Sequence, residues 1–229
     1  MRLAFLGTGA AFSAERYHGA VVVDGHLLLD AGAPLLQQMS RLGIEPGGVD
    51  TCFLTHYHAD HVLGLASFVL DRAFVHKTPL TFVGPGDVEA RLEALFQLAW
   101  GPDWDDPIRG HADLRYVSAA ESGEVNGVRY TSVALPHGSR GGTGYRFQLG
   151  SRVLAYSGDV EMGSELERLV DAADVAIVEA TGPGDQFSHM SWEQARELAR
   201  RHPGTRFIWN HVYAGDLEGA AHDLDVIEI

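Results

Sequence analysis

The chain has 229 residues, 45% of them hydrophobic and 21% charged, a balance that excludes a disordered chain and is long enough to bury a real core. Asp and Glu outnumber Lys and Arg by 31 to 17, a formal charge of −14, so the surface is a poor scaffold for broad contact with nucleic-acid phosphates or anionic lipid. The lone cysteine, Cys52, excludes an intramolecular disulfide and a thiolate zinc site, and its apolar surroundings read as those of a small buried hydrophobe.

In chain order, residues 3–6, 20–23 and 27–29 read as short strands, separated by Gly7-Thr8-Gly9 and by the turn pair Asp24-Gly25. The N-terminal apolar run breaks at these glycines and meets Glu15 and Arg16, which fits a strand entering a turn better than a signal peptide. No stretch approaches the ~18 apolar residues of a membrane span, so no membrane partner and a cytoplasmic location are expected. A helix is expected over 34–42, with Pro34 in its first turn and Gly43 after its end. A strand over 49–54 leads to His56, and 62–74 reads as a helix with Leu63, Ala66, Leu70 and Ala73 on one face. A strand at 80–83 and a helix at 88–100 follow, then a polar loop over 101–113. Strand-like runs at 115–117, 128–135, 145–149 and 153–156 suggest hairpins. A helix at 165–172, a strand at 175–178, a helix at 192–201 and strands at 206–209 and 226–229 complete the chain. The alternation suggests one layered α/β domain over residues 1–229 with helices on the outer faces; periodicity does not supply the strand order.

The strongest local signal is His56-Tyr57-His58-Ala59-Asp60-His61. On an extended segment residues i and i+2 point the same way, so His56 and His58 can hold one metal together. The turn into the helix sends Asp60 and His61 elsewhere. Four N/O donors in six residues, split between two directions, suit a two-metal centre. The plain alternative is a polar strand-to-helix loop rich in histidine. Downstream residues argue against it: His137, Asp159 and His211 all follow predicted strand ends, where α/β sites tend to be built.

The order His-x-His-x-Asp-His, then His, Asp and His, at spacings of 76, 22 and 52 residues, resembles the metallo-β-lactamase superfamily of metal-dependent hydrolases. The resemblance runs from Gly7-Thr8-Gly9 to His211. It implies an αββα four-layer sandwich, two mixed β-sheets flanked by helices. It also implies that His56, His58 and His137 hold one divalent metal, that Asp60, His61 and His211 hold a second, and that Asp159 bridges them. Zinc suits these donors, and Mn2+ or Fe2+ are accepted by the same set. Two such ions hold a bridging hydroxide at neutral pH as the nucleophile and leave the centre positively charged inside an acidic protein.

Phe5-Leu6-Gly7-Thr8-Gly9, Leu29-Asp30-Ala31-Gly32, Tyr156-Ser157-Gly158-Asp159, Glu179-Ala180-Thr181 and Ser188-His189-Met190-Ser191 resemble the branch that holds ribonuclease Z and small phosphodiesterases. That resemblance implies His189 as general acid for the leaving oxygen, with Glu179 orienting it; Asp60 is counted with them among the catalytic positions. The plain role of the segment is structural, with Ser191 capping the helix that follows. Arg16 and Arg140 are candidate substrate contacts, the latter in the Gly-rich stretch 138–144. His18 has no assigned role, and His26, His76, His111, His202 and His222 read as surface or structural.

Two departures bear on the substrate. The tRNA-cleaving members carry a basic stretch where this chain has Phe12-Ser13-Ala14-Glu15-Arg16-Tyr17-His18, and an extended arm for which no insertion is found here. The 101–113 loop holds Asp103, Asp105, Asp106 and Asp113 against Arg109, the wrong sign for gripping RNA. A small anionic phosphodiester, such as a cyclic nucleotide or a cyclic sugar phosphate, is therefore expected, and large RNA is disfavoured. The alternatives are tRNA 3′ processing without the usual arm, a lactone or thioester hydrolase on the same scaffold, and a non-catalytic binding protein. A homodimer is compatible with the branch, and the sequence leaves the oligomeric state open.

Overall fold

A computed structural model describes residues 1–102, 104 and 109–229; Asp103, Asp105 and Asp106 of the expected acidic loop lie outside the described residues. The chain folds into two compact units. The first comprises Met1–Gly7, Gly19–Ala119 and Leu224–Ile229, and the second Thr8–His18 and Ala120–Asp223.

The first unit is built on a seven-stranded mixed sheet. Its strands are β1 (Arg2–Gly7), β2 (Ala20–Val23), β3 (Leu27–Leu29), β4 (Thr51–Phe53), β5 (Leu80–Gly84), β6 (Leu114–Ser118) and β13 (Val226–Glu228), in the order β13-β1-β2-β3-β4-β5-β6. Pairing is antiparallel from β13 through β3 and parallel from β3 to β6. The β2–β3 hairpin turns where expected: Asp24 and Gly25 both have left-handed φ, 49° and 79°, the conformation its tight turn needs. Strands β2 to β5 are buried on both faces, which explains the unbroken apolar runs of β2 and β3 and the near-continuous ones of β4 and β5. Leu28, Cys52, Leu54, Phe68 and Phe82 share one apolar cluster with α1 (Leu35–Arg41) and α4 (Val88–Trp100). Cys52 is fully buried, and burial followed by the charge of Asp30 pushes its thiol pKa up, so it packs as an inert hydrophobe.

The helix expected over 62–74 is divided. A first turn, α2 (Ala59–Val62), is followed by α3 (Gly64–Asp71) and a wider π-type turn, Arg72–His76. Gly64 explains the division: a Cβ there would lie 2.7 Å from the Ala31 carbonyl oxygen, so only glycine lets α3 start against that loop. Arg72 explains the wide turn. Its fully buried guanidinium donates to the carbonyls of Pro46 (2.6 Å) and Val49 and to Thr78 Oγ1, tying three segments together.

His76 closes the same region. Its Nδ1 lies 2.5 Å from Asp71 Oδ1, and its Nε2 bonds Glu45 Oε1. The Asp71 hydrogen bond, reinforced by Glu45, raises the imidazole pKa. A raised folded-state pKa contributes stability that is fully present below the unfolded value of about 6.5 and is lost as pH rises through the folded one. Melting temperatures of wild type and His76→Gln should therefore differ most at pH 5.5–6 and converge in alkaline buffer. A gap that is constant with pH would show that His76 acts by packing alone.

The second unit carries a six-stranded mixed sheet of β7 (Ser122–Val125), β8 (Val128–Leu135), β9 (Gly142–Leu149), β10 (Arg152–Tyr156), β11 (Val175–Glu179) and β12 (Arg206–Asn210), in the order β12-β11-β10-β9-β8-β7. Strands β8, β9 and β10 form the expected hairpins, and β10, β11 and β12 run parallel; the run at 115–117, expected in a hairpin too, instead pairs parallel with β5 as β6 of the first sheet. Strand β7 was not expected, although Asn126-Gly127 announces it: their φ values of 48° and 79° make a second tight hairpin turn. Helices α5 (Ser164–Val170) and α6 (Trp192–Arg201) cover an apolar cluster that includes Leu135, Leu166, Val178, Met190 and Trp209. Ser191 caps α6 as expected: its Oγ accepts from Gln194 N at 3.2 Å, and Gln194 Oε1 accepts from Ser191 N at 2.8 Å. The fold is thus the expected α/β class with two mixed sheets and flanking helices. No helix among the described residues is long and apolar enough to cross a membrane.

Candidate metal centre

In the first unit the donors follow β4 directly. His56 Nε2 and His58 Nδ1 lie 2.9 Å apart. Two imidazole nitrogens on one tetrahedral ion with ~2.05 Å bonds would sit about 3.3 Å apart, so this pair has nearly the spacing of two ligands on a shared ion. The His56 and His61 rings are 4.2 Å apart, and His61 Nε2 is 3.4 Å from Asp60 Oδ2. His56, Asp60 and His61 are buried, whereas His58 is exposed.

Asp30 organises this group from β3's end. It is fully buried, with φ 53°. Its Oδ1 accepts from Thr55 N at 2.8 Å, and its Oδ2 accepts from His61 Nδ1 at 2.9 Å and from Thr55 Oγ1 at 2.9 Å. Thr55 donates its hydroxyl proton to Asp30, so its oxygen accepts from His56 Nδ1 at 3.1 Å. Both histidines are thereby held as the tautomer whose Nε2 lone pair can bind a metal. Sequence reasoning quoted Asp30 only as part of a motif and missed this role; a carboxylate at a strand end, just before Ala31-Gly32, was the available signal. Asp30→Asn should weaken metal binding about 10- to 100-fold, read by competition with a chromophoric chelator. Unchanged affinity would mean that His61 is oriented by something else.

In the second unit the donors stand at strand ends. Asp159 follows β10, Glu179 ends β11, His211 follows β12, and His137 follows β8. Asp159, Glu179, His189 and His211 each offer one ligand atom within 4.8 Å of the others. Asp159 is the hub: Oδ1 lies 3.2 Å from His211 Nε2, and Oδ2 lies 3.7 Å from His137 Nε2 and 3.8 Å from His189 Nδ1. All but His189 are nearly sequestered from water.

The imidazoles here are oriented as in the first unit. His137 Nδ1 donates to the Ser188 carbonyl at 2.8 Å, which a carbonyl can only accept. Thr181 donates its hydroxyl proton to Glu179 Oε1 at 2.8 Å and accepts from His211 Nδ1 at 3.3 Å. Glu179, 1% exposed, also accepts from His189 Nδ1 and Met190 N at 2.9 Å each and, through Oε2, from Val160 N at 2.6 Å. Its carboxylate therefore sets the position of His189 and of the backbone on either side of it.

The two arginines differ. Arg16 donates to Ala221 O at 2.7 Å, Thr8 Oγ1 at 3.0 Å and Gly215 O at 3.3 Å, so its guanidinium braces the 8–18 loop against 215–221. Arg140 is exposed on the loop after His137.

The protein-family model described as the Beta-lactamase superfamily domain matches residues 26–212. A ribonuclease Z of Bacillus licheniformis is 26% identical over 278 aligned positions, covering 93% of this chain and 89% of that protein. Among solved structures, a diphosphatase of the PhnP family has a TM-score of 0.77 at 20% identity, covering 100% of this chain and 97% of that one. Zn2+-bound PqqB from Methylobacterium extorquens has a TM-score of 0.76 at 16% identity over the full length of both chains. With strand ends presenting imidazole and carboxylate donors in the order His-x-His-x-Asp-His, His, Asp, His, the chain belongs to the metallo-β-lactamase superfamily as one of its ribonuclease Z-like hydrolases.

Proposed function

We propose that the 229 residues act as one hydrolase domain that cleaves a small phosphodiester. The reading is carried by the Glu179–His189 pair: a buried carboxylate holds His189 Nδ1 at 2.9 Å, within the donor group of Asp159 and His211. In this proposal His56, His58 and His137 hold one divalent ion, Asp60, His61 and His211 a second, and Asp159 serves both. Imidazole and carboxylate donors fit zinc, as the zinc-bound PqqB neighbour supports; Mn2+ and Fe2+ fit the same donors. When bound, the two ions supply an activated water and positive charge for the phosphate. With Nδ1 bonded to Glu179, His189 gives the proton on Nε2 to the leaving oxygen. Glu179 is a positioning residue: it keeps the imidazole tautomer and the segment around it in place. Arg140 contacts a phosphate oxygen, and Arg16 supports the neighbouring loop.

The ribonuclease Z relatives favour a second reading, cleavage at the 3′ end of a precursor tRNA. Two observations favour the smaller substrate. The B. licheniformis alignment has 278 positions against 229 residues in this chain, so at least 49 of them have no counterpart here. The formal charge of −14 also opposes a large polyanion.

The test is turnover of bis(p-nitrophenyl) phosphate, 2′,3′- and 3′,5′-cyclic nucleotides, a cyclic sugar phosphate, a lactone and a precursor tRNA, with and without chelator. Chelator-sensitive cleavage of a small phosphodiester is expected. Metal-loaded protein that cleaves none of the phosphodiesters, or only the tRNA, would overturn the reading.

A further inference from the structure

Four exposed aromatic rings lie on the second-unit loops that carry His189 and His211 or run beside them, and three of them are more exposed than Tyr17 at 40%. Phe187, 93% exposed, stands two residues before His189; Phe12, 86% exposed, lies within the turn closed by Ser13 N donating to Ala10 O; Tyr213, 49% exposed, stands two residues after His211. Single exposed aromatics are ordinary surface features. These three are not scattered, because backbone hydrogen bonds lace their loops together. Ala10 N donates to Val212 O (3.2 Å), Val212 N to Thr8 O (2.9 Å), Tyr213 N to Thr181 O (2.8 Å) and Thr181 N to Met190 O (3.0 Å).

The loops are also braced from below. Asp223 accepts from Thr8 N, Thr8 Oγ1 and Tyr17 N at 2.7–2.9 Å, and Arg16 clamps the same loop. Gln186 Nε2 donates to Pro183 O at 2.8 Å, and His189 N donates to Gln186 O at 3.2 Å, so Phe187 projects from a tied turn. The loop after His137 meets this turn: a Cβ on Gly138 would lie 3.3 Å from Ser188 Oγ, and exposed Arg140 is two residues beyond Gly138. Rings held in water on tied loops, two of them within two residues of His189 or His211, match what a planar base attached to a phosphate requires.

We propose that Phe187, with Phe12 and Tyr213, is a stacking platform for a nucleobase, so that the substrate is a nucleotide phosphodiester and not a cyclic sugar phosphate. The inference rests on the phosphodiesterase reading for its chemistry and on the aromatic loops for its specificity.

Calorimetry on the metal-loaded full-length protein tests it with AMP and ribose 5-phosphate, which differ by the base. AMP should bind at least tenfold more tightly. Base stacking on one aromatic ring is worth about 5- to 150-fold in affinity, so Phe187→Ala should cut the AMP preference about tenfold and Phe187→Trp should retain it. Equal affinity for the two ligands, or an AMP preference that survives Phe187→Ala combined with Phe12→Ala, would overturn the proposal. Hydrolysis of 2′,3′-cyclic AMP and bis(p-nitrophenyl) phosphate, followed in parallel, separates the two ideas. A base preference without any turnover supports the platform and removes the phosphodiesterase reading. Turnover without a base preference does the reverse.

Discussion

His189→Ala should lower turnover of a cyclic nucleotide by about 10²- to 10⁴-fold, the usual contribution of a positioned general acid. The loss on bis(p-nitrophenyl) phosphate should be far smaller, because its weakly basic leaving group departs without a proton. The reason is geometric: Glu179 Oε1 holds His189 Nδ1 at 2.9 Å, which leaves the other ring nitrogen to serve the leaving oxygen. Measuring kcat for both substrates across pH checks this, and the alkaline decline expected of an acid catalyst should vanish in the variant. Equal losses on both substrates would show that His189 does something other than protonate the leaving group. Glu179→Gln should act through the same histidine but also destabilise the fold. Its carboxylate accepts from four donors, and an amide in its place would set an N–H against the N–H of Val160 or Met190. Burying such a mismatch costs about 1–3 kcal/mol, visible as a lower melting temperature.

Asp159→Ala should reduce hydrolysis of every substrate to background, the p-nitrophenyl ester included, and lower the bound metal measured by elemental analysis. Both Asp159 oxygens are aimed at histidine nitrogens, Oδ1 at His211 Nε2 and Oδ2 at His137 Nε2, so one substitution removes a donor from the whole group. Loss of a supporting hydrogen bond around a metal typically weakens it 10- to 100-fold; loss of a shared carboxylate should exceed that. Chelator treatment of wild type should reproduce the effect, and added zinc should reverse it in wild type but not in the variant. Full metal content with full activity in Asp159→Ala would remove Asp159 from the centre. The contrast between the two variants is diagnostic, since only His189→Ala should distinguish substrates by leaving group.

Much of the fold was legible in local pattern. Helices α4 and α6 lie at their expected boundaries, Val88–Trp100 and Trp192–Arg201, because their apolar spacing and caps are local properties. The segment 62–74 was misread as one helix. Its periodicity is real, but the close approach of Gly64 to Ala31 and the buried guanidinium of Arg72 reshape it, and both are tertiary contacts. Strand β7 was missed because Ser122-Gly123-Glu124-Val125 has little apolar content; it exists as the partner of β8 across the Asn126-Gly127 turn.

The site divides along the same line. The sequence by itself determined which atoms are offered to a metal and in what order, since donor chemistry belongs to side-chain type and the strand-to-helix spacing is local. Tertiary structure decided how those atoms are held. Asp30 was available only as one letter of a motif until β3 and β4 came together and set it against Thr55 and His61. Arg16, read from sequence as a candidate phosphate contact, has its guanidinium engaged by Thr8, Gly215 and Ala221, up to 205 residues away in the chain. A hydrogen-bond partner at that separation is chosen by sheet topology, and topology is set by the sum of many packing contacts rather than by any local run of residues.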